Sequence, residues 1–123
     1  MQSLAAFVFS GLCAVLVVFH LCIILGAPWG HLTMGGRWKG ALPPAARGLS
    51  LVSGLLLVGM AFAVLSLAGL TGWAPPTFVL PALGAYSVLA ILAHVATPSA
   101  PERRLWLPVI LLMCAALGVV AWG

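Results

Sequence analysis

Three histidines, three cysteines and a single acidic residue are the side chains of this 123-residue chain best suited to ligate a metal, carry a proton or attack an electrophile. His20 and His94 each stand near the same end of a long apolar run. Two imidazoles facing each other there could ligate a b-type haem. They are the expected cofactor-binding pair, His20 foremost because it lies deeper, and haem b is the group they would hold. The plainer expectation is that they hydrogen-bond between helices. No separate metal site is expected. Cys13, Cys22 and Cys114 are scattered with no Cys-x-x-Cys pair, which suits small buried side chains rather than a disulfide framework.

The lone acid, Glu102, closes the run Ser99-Ala100-Pro101-Glu102. That pattern predicts a capping box, with Ser99 as N-cap and the Glu102 carboxyl reaching back to it. A single acid excludes paired-carboxylate catalysis. A phosphate-cradling glycine loop and a nucleophile elbow are both missing from the sequence. A non-catalytic role is expected.

The elements that carry these residues follow from composition. Of all residues 64% are apolar and 5% charged, and mean hydropathy is +1.27. A soluble domain carries about a quarter charged residues, so a water-soluble monomer is excluded. No charge falls between Met1 and Gly36 or between Gly48 and Pro101. A bilayer core needs about 20 apolar residues per helical crossing. Four helices meet that length, at about 4–25, 45–70, 77–96 and 100–122, the last with its apolar run from Leu105. The predicted fold class is therefore an all-α polytopic membrane protein, a single domain of four transmembrane helices. A cleaved signal peptide is the weaker reading of the first run, which lacks a basic start. Pro108 predicts a bend inside the fourth helix.

Arg37, Lys39, Arg47, Arg103 and Arg104 all fall at one end of such a bundle. The positive-inside rule places that end in the cytoplasm and both termini outside. Trp29, Trp38 and Trp106 mark one boundary, Trp73 and Trp122 the other. Small residues four apart, Ser50 with Gly54, Gly59 with Ala63 and Cys114 with Gly118, would let helices approach closely.

The loop 26–44 mixes glycine, proline, tryptophan and basic side chains. It is too apolar to float in water and predicts an ordered cap at the interface, with Gly35 and Gly36 at left-handed or crowded positions. Trp29, His31, Arg37, Trp38 and Lys39, together with Arg103, Arg104 and Trp106, are the expected binding surface. Anionic lipid headgroups are its expected partners, each basic residue contributing about 1 kcal/mol.

In Gly26-Ala27-Pro28-Trp29-Gly30, Thr33, Gly35-Gly36, Leu42-Pro43 and Arg47, and again in Glu102-Arg103, Trp106 and Pro108, the sequence resembles a group of small bacterial four-helix membrane proteins. The resemblance implies architecture and a bacterial cytoplasmic membrane, and no activity. Size and crossing number are also similar to the small fluoride channels, whose motifs are absent. The leading functional expectation is an accessory subunit or a self-associating helical bundle, as a homo-oligomer or with a membrane-complex partner and no nucleic acid. The alternatives are a channel or carrier for a small anion or neutral solute, and a haem-binding membrane anchor.

Overall fold

The computed structural model describes all residues, 1–123. The protein is all-helical: α1 (Gln2–Ile24), α2 (Pro44–Leu67), α3 (Val79–Ala96) and α4 (Ala100–Trp122), with two short 3-10 turns, Gly30–Leu32 and Met34–Gly36, between α1 and α2. All four helices are long and apolar enough to cross a membrane. Their outer faces carry large apolar side chains such as Val15, Leu55, Leu89 and Leu112, half or more exposed. In water these faces would be untenable, whereas in lipid they are the solvated surface.

Helix ends follow local chemistry. Pro44 occupies the first turn of α2, where its missing N–H has no helical partner to lose. Apolar character alone would carry α2 on to Leu70, but the helix stops at Leu67. Gly69 adopts φ +77°, and the Leu70 N–H turns back to the Leu65 carbonyl, a Schellman ending. Likewise α3 starts at Val79 rather than Thr77, after a turn in which the Val79 N–H donates to the Pro76 carbonyl. Helix α4 continues through Pro108.

In cross-section, α1 packs on α2 and on α4, and α3 packs on α4. The fourth side of the square, between α2 and α3, makes only marginal contact. Two cores fill the bundle. One lies towards the chain termini and includes Ala6, Phe9, Cys13, Val64, Leu83, Leu117 and Val120. There the Gln2 side-chain amide donates to the Val120 carbonyl at 3.1 Å, tying the first helix to the last. The other lies at the basic end and joins Phe19, Ile23, Leu42, Ala46 and Trp106. Of the small-residue pairs, Ser50 and Gly54 face α1, and a Cβ on Gly54 would lie 3.8 Å from the His20 Cβ. Gly59 meets nothing within 4 Å, and Gly118 meets only its own Trp122.

Candidate functional site

Beside the marginal α2–α3 contact lies a cavity of about 550 Å³, lined by all four helices and by the 26–44 loop. Along α4 it extends from Glu102 to Met113, about 16 Å at 1.5 Å per residue. That is roughly half of a hydrocarbon core. Beyond its floor the terminal-end core of Ala6, Val64, Leu83 and Val120 fills the bundle. The space is a pocket, with no polar route through that core.

Polar groups converge towards its basic end: His20, His94, Thr33, Thr97 and Glu102, with Ser53, Tyr86 and Ser87 deeper. Phe9, Phe19, Tyr86 and Trp106 supply aromatic wall, and no Lys or Arg lines the space. His20 and His94, expected as a pair, therefore do share one cavity. The Nδ1 atom of His20 is 3.1 Å from the Ser50 hydroxyl, a bond between α1 and α2. The Nδ1 atom of His94 is 2.8 Å from the Ala90 carbonyl one turn back on its own helix. A carbonyl only accepts, so His94 Nδ1 carries a proton in this bond, and Nε2 is left without a protein partner.

Glu102 departs from the expected capping box. Ser99 caps α4 as anticipated, its Oγ accepting from the Glu102 N–H at 3.3 Å. The Glu102 carboxyl does not reach back, because the Ser99 N–H is already taken by the Thr97 hydroxyl at 3.3 Å. It crosses instead to the loop, where Oε2 accepts from the Gly35 N–H at 3.1 Å. Glu102 is only 6% exposed, although it is the one acid in the chain.

The loop is folded onto the bundle as a lid. The Ser99 hydroxyl donates to the His31 carbonyl, and the Trp106 indole N–H donates to the Leu32 carbonyl at 2.8 Å. Together with the Glu102 bond these fasten residues 31–35 across the cavity mouth. Met34, Gly35 and Gly36 are consecutive residues with positive φ. A Cβ on Gly36 would come within 2.9 Å of Ser99 Cβ, so any side chain there must displace Ser99.

The expected binding surface is divided by the structure. Trp106 is buried, its ring edge-on to Phe19 at 4.7 Å, with its indole N–H used inside the lid, and it lines the cavity. Trp29 stacks on Phe19 at 6.1 Å and remains 38% exposed. The Arg103 guanidinium donates to the Thr97 carbonyl at 2.8 Å, closing the end of α3. Arg47, also basic, donates to the Leu42 carbonyl at 2.8 Å and pins the end of the loop. Arg37, over the Trp38 ring at 5.1 Å, remains exposed, as do Lys39 and Arg104. His31 is half-buried, and its backbone rather than its imidazole makes the lid contact.

Sequence reasoning missed the cavity. The one signal available was a single acid placed at the membrane boundary of so apolar a chain. Comparison with protein-family models, with curated proteins and with solved structures finds no match to this chain. The fold and site define it as a small four-helix integral membrane protein with a lidded internal cavity.

Proposed function

We propose that this protein is a non-catalytic binding bundle that holds a small amphipathic molecule within the membrane, a carrier-type role rather than a channel. One observation carries the reading: a cavity of about 550 Å³, mostly apolar, with polar groups gathered at one end. Ligand sites have that size and that distribution. The marginal α2–α3 contact provides a side entrance from the lipid. The filled terminal-end core argues against continuous passage of an ion. Arg37, Lys39 and Arg104, exposed at the lidded end, would rest on anionic headgroups of a cytoplasmic leaflet.

The test is extraction. Wild-type protein and Ala90→Trp, whose indole fills the cavity from α3, are purified into nanodiscs. Their solvent extracts are then compared by mass spectrometry. A small molecule stoichiometric with the wild type and lost from the variant is the expected result. Identical extracts from two folded proteins would sink the proposal. A stoichiometric protein partner in place of a small molecule would favour the accessory-subunit reading.

A haem anchor is the second reading. It is favoured by the shared cavity and by two imidazoles held at Nδ1 with Nε2 left unbonded by the protein. Such a bond at the second nitrogen is how ligating histidines are usually oriented. Against it, haem brings two propionates, and the only charged side chain in the lining is a carboxyl. A Soret band in the purified protein decides the point.

A further inference from the structure

The geometry points to a protonated lipophilic amine as the occupant of this cavity, with Glu102 as its counter-ion. The inference rests on the binding reading above and deepens it. Of three features of the site, charge selects this chemistry, and the hydrogen-bond acceptors and apolar wall around it are compatible with it.

The first is charge. Glu102 is 94% buried by the complement of its exposure, and its side chain makes one hydrogen bond to protein, from the Gly35 amide. Five basic residues lie at the same end of the bundle, yet none lines the cavity. Arg103, its neighbour in sequence, donates to the Thr97 carbonyl instead. Buried carboxylates are ordinarily paired, because an unpaired charge in a low-dielectric site is strongly disfavoured. The start of α4 and the Gly35 N–H set only partial positive charge beside the carboxyl. A cationic ligand supplies the missing unit of charge.

The second is hydrogen-bond polarity. Glu102 can only accept when ionised. His94 donates Nδ1–H to the Ala90 carbonyl, and in the neutral tautomer that bond selects, Nε2 is an acceptor. The Ser87 hydroxyl has its donor committed to the Leu83 carbonyl at 2.9 Å, leaving its lone pairs. These lining groups present acceptors, and an ammonium presents only donors. The hydroxyls of Ser53, Tyr86 and Thr33 also line the cavity and can donate as well as accept, so the choice of a cation rests on Glu102, the one carboxyl in the lining.

The third is the wall. Phe19 and Trp106 line the polar end, and Tyr86 lies deeper. Ring faces attract cations, more strongly when water is excluded. The rest of the lining, with Leu57, Met60 and Met113, accepts an apolar body. A lipophilic amine partitions into the bilayer and reaches the marginal α2–α3 contact without crossing water.

The experiment uses the wild-type chain in nanodiscs of zwitterionic lipid at pH 7, with empty nanodiscs as the control. Three probes share one ring system and differ in charge: 1-naphthylmethylamine, 1-naphthylmethanol and 1-naphthoate. Affinities are read by calorimetry. The amine should bind at least about tenfold more tightly than the alcohol, the range of a charge-assisted hydrogen bond, and the carboxylate should not bind. Glu102→Gln keeps an oxygen for the Gly35 N–H and should bring amine and alcohol to within about twofold of each other. Equal affinities in the wild type, or a preference that survives Glu102→Gln, would overturn the amine assignment while leaving the cavity reading intact. Failure of all three probes to bind above the control would refute both. A measurement on the wild type alone covers the case in which the variant does not fold. A hydrophobic carbodiimide should label Glu102, and saturating amine, but not alcohol, should slow the labelling severalfold. Equal labelling with and without amine would overturn the inference.

Discussion

Replacing Gly36 by alanine adds one methyl group at the most crowded point of the lid, and two comparison sites separate its effects. At Gly36 the new Cβ would sit 2.9 Å from Ser99 Cβ and 3.1 Å from its hydroxyl, on a backbone with φ +70°. The left-handed backbone alone costs an alanine about 1 kcal/mol. Relieving the contact must move Ser99, which caps the Glu102 N–H and donates to the His31 carbonyl. Losing one such bond adds about 1 kcal/mol, for a total of about 2 kcal/mol. Gly69 has φ +77° and nothing within 4 Å, so Gly69→Ala carries the backbone part alone, about 1 kcal/mol. Gly40 has neither a positive φ nor a neighbour within 4 Å, and Gly40→Ala should change stability by no more than about 0.5 kcal/mol. The assay is hydrogen exchange in nanodiscs together with unfolding by a denaturing detergent. For Gly36→Ala, exchange should accelerate first in residues 31–36, ahead of the helices. Equal effects at the three positions, or a silent Gly36→Ala, would refute the contact argument.

Further outcomes follow from the same lid. Trp106→Phe retains the ring against Phe19 but removes the donor to the Leu32 carbonyl, so stability should fall by about 1 to 2 kcal/mol, with faster exchange confined to the lid. Ser99→Ala removes both the α4 cap and the bond to His31 and should cost about 1 to 2 kcal/mol in the same unfolding assay, whereas Ser99→Thr should recover part of it. For orientation, a phosphatase fused after Gly123 should be active outside the cytoplasm, because all five basic side chains lie at the opposite end; an inactive phosphatase paired with a bright cytoplasmic fluorescent fusion would reverse the topology.

Helix existence was legible in the sequence because it rests on quantities summed along the chain. An apolar run of sufficient length must satisfy its own backbone in lipid, and only a helix does so. Stops were legible wherever the punctuation was local: the turn after Ile24, Pro44 opening α2 and Ser99 capping α4. The end of α2 was misplaced because Leu67 to Leu70 stays apolar while Gly69 turns the backbone. The folded character of the loop was readable from its composition, and the left-handed Gly35 and Gly36 agree with that reading.

Tertiary structure alone decided which faces meet. In water, an apolar stripe on a helix marks its buried side. In lipid, both sides of each helix are apolar. Leu55 faces out and Leu57 faces in, two residues apart on α2, with nothing in their chemistry to tell them apart. Helix rotation therefore could not be read from the pattern, and neither could its consequences: the marginal contact between α2 and α3, the burial of Trp106, and the cavity shared by His20 and His94. Partner choice was hidden for the same reason. Glu102 was readable as a cap residue because its cap is three positions away, but its carboxyl binds Gly35, 67 positions away, and only folding brings that amide within reach.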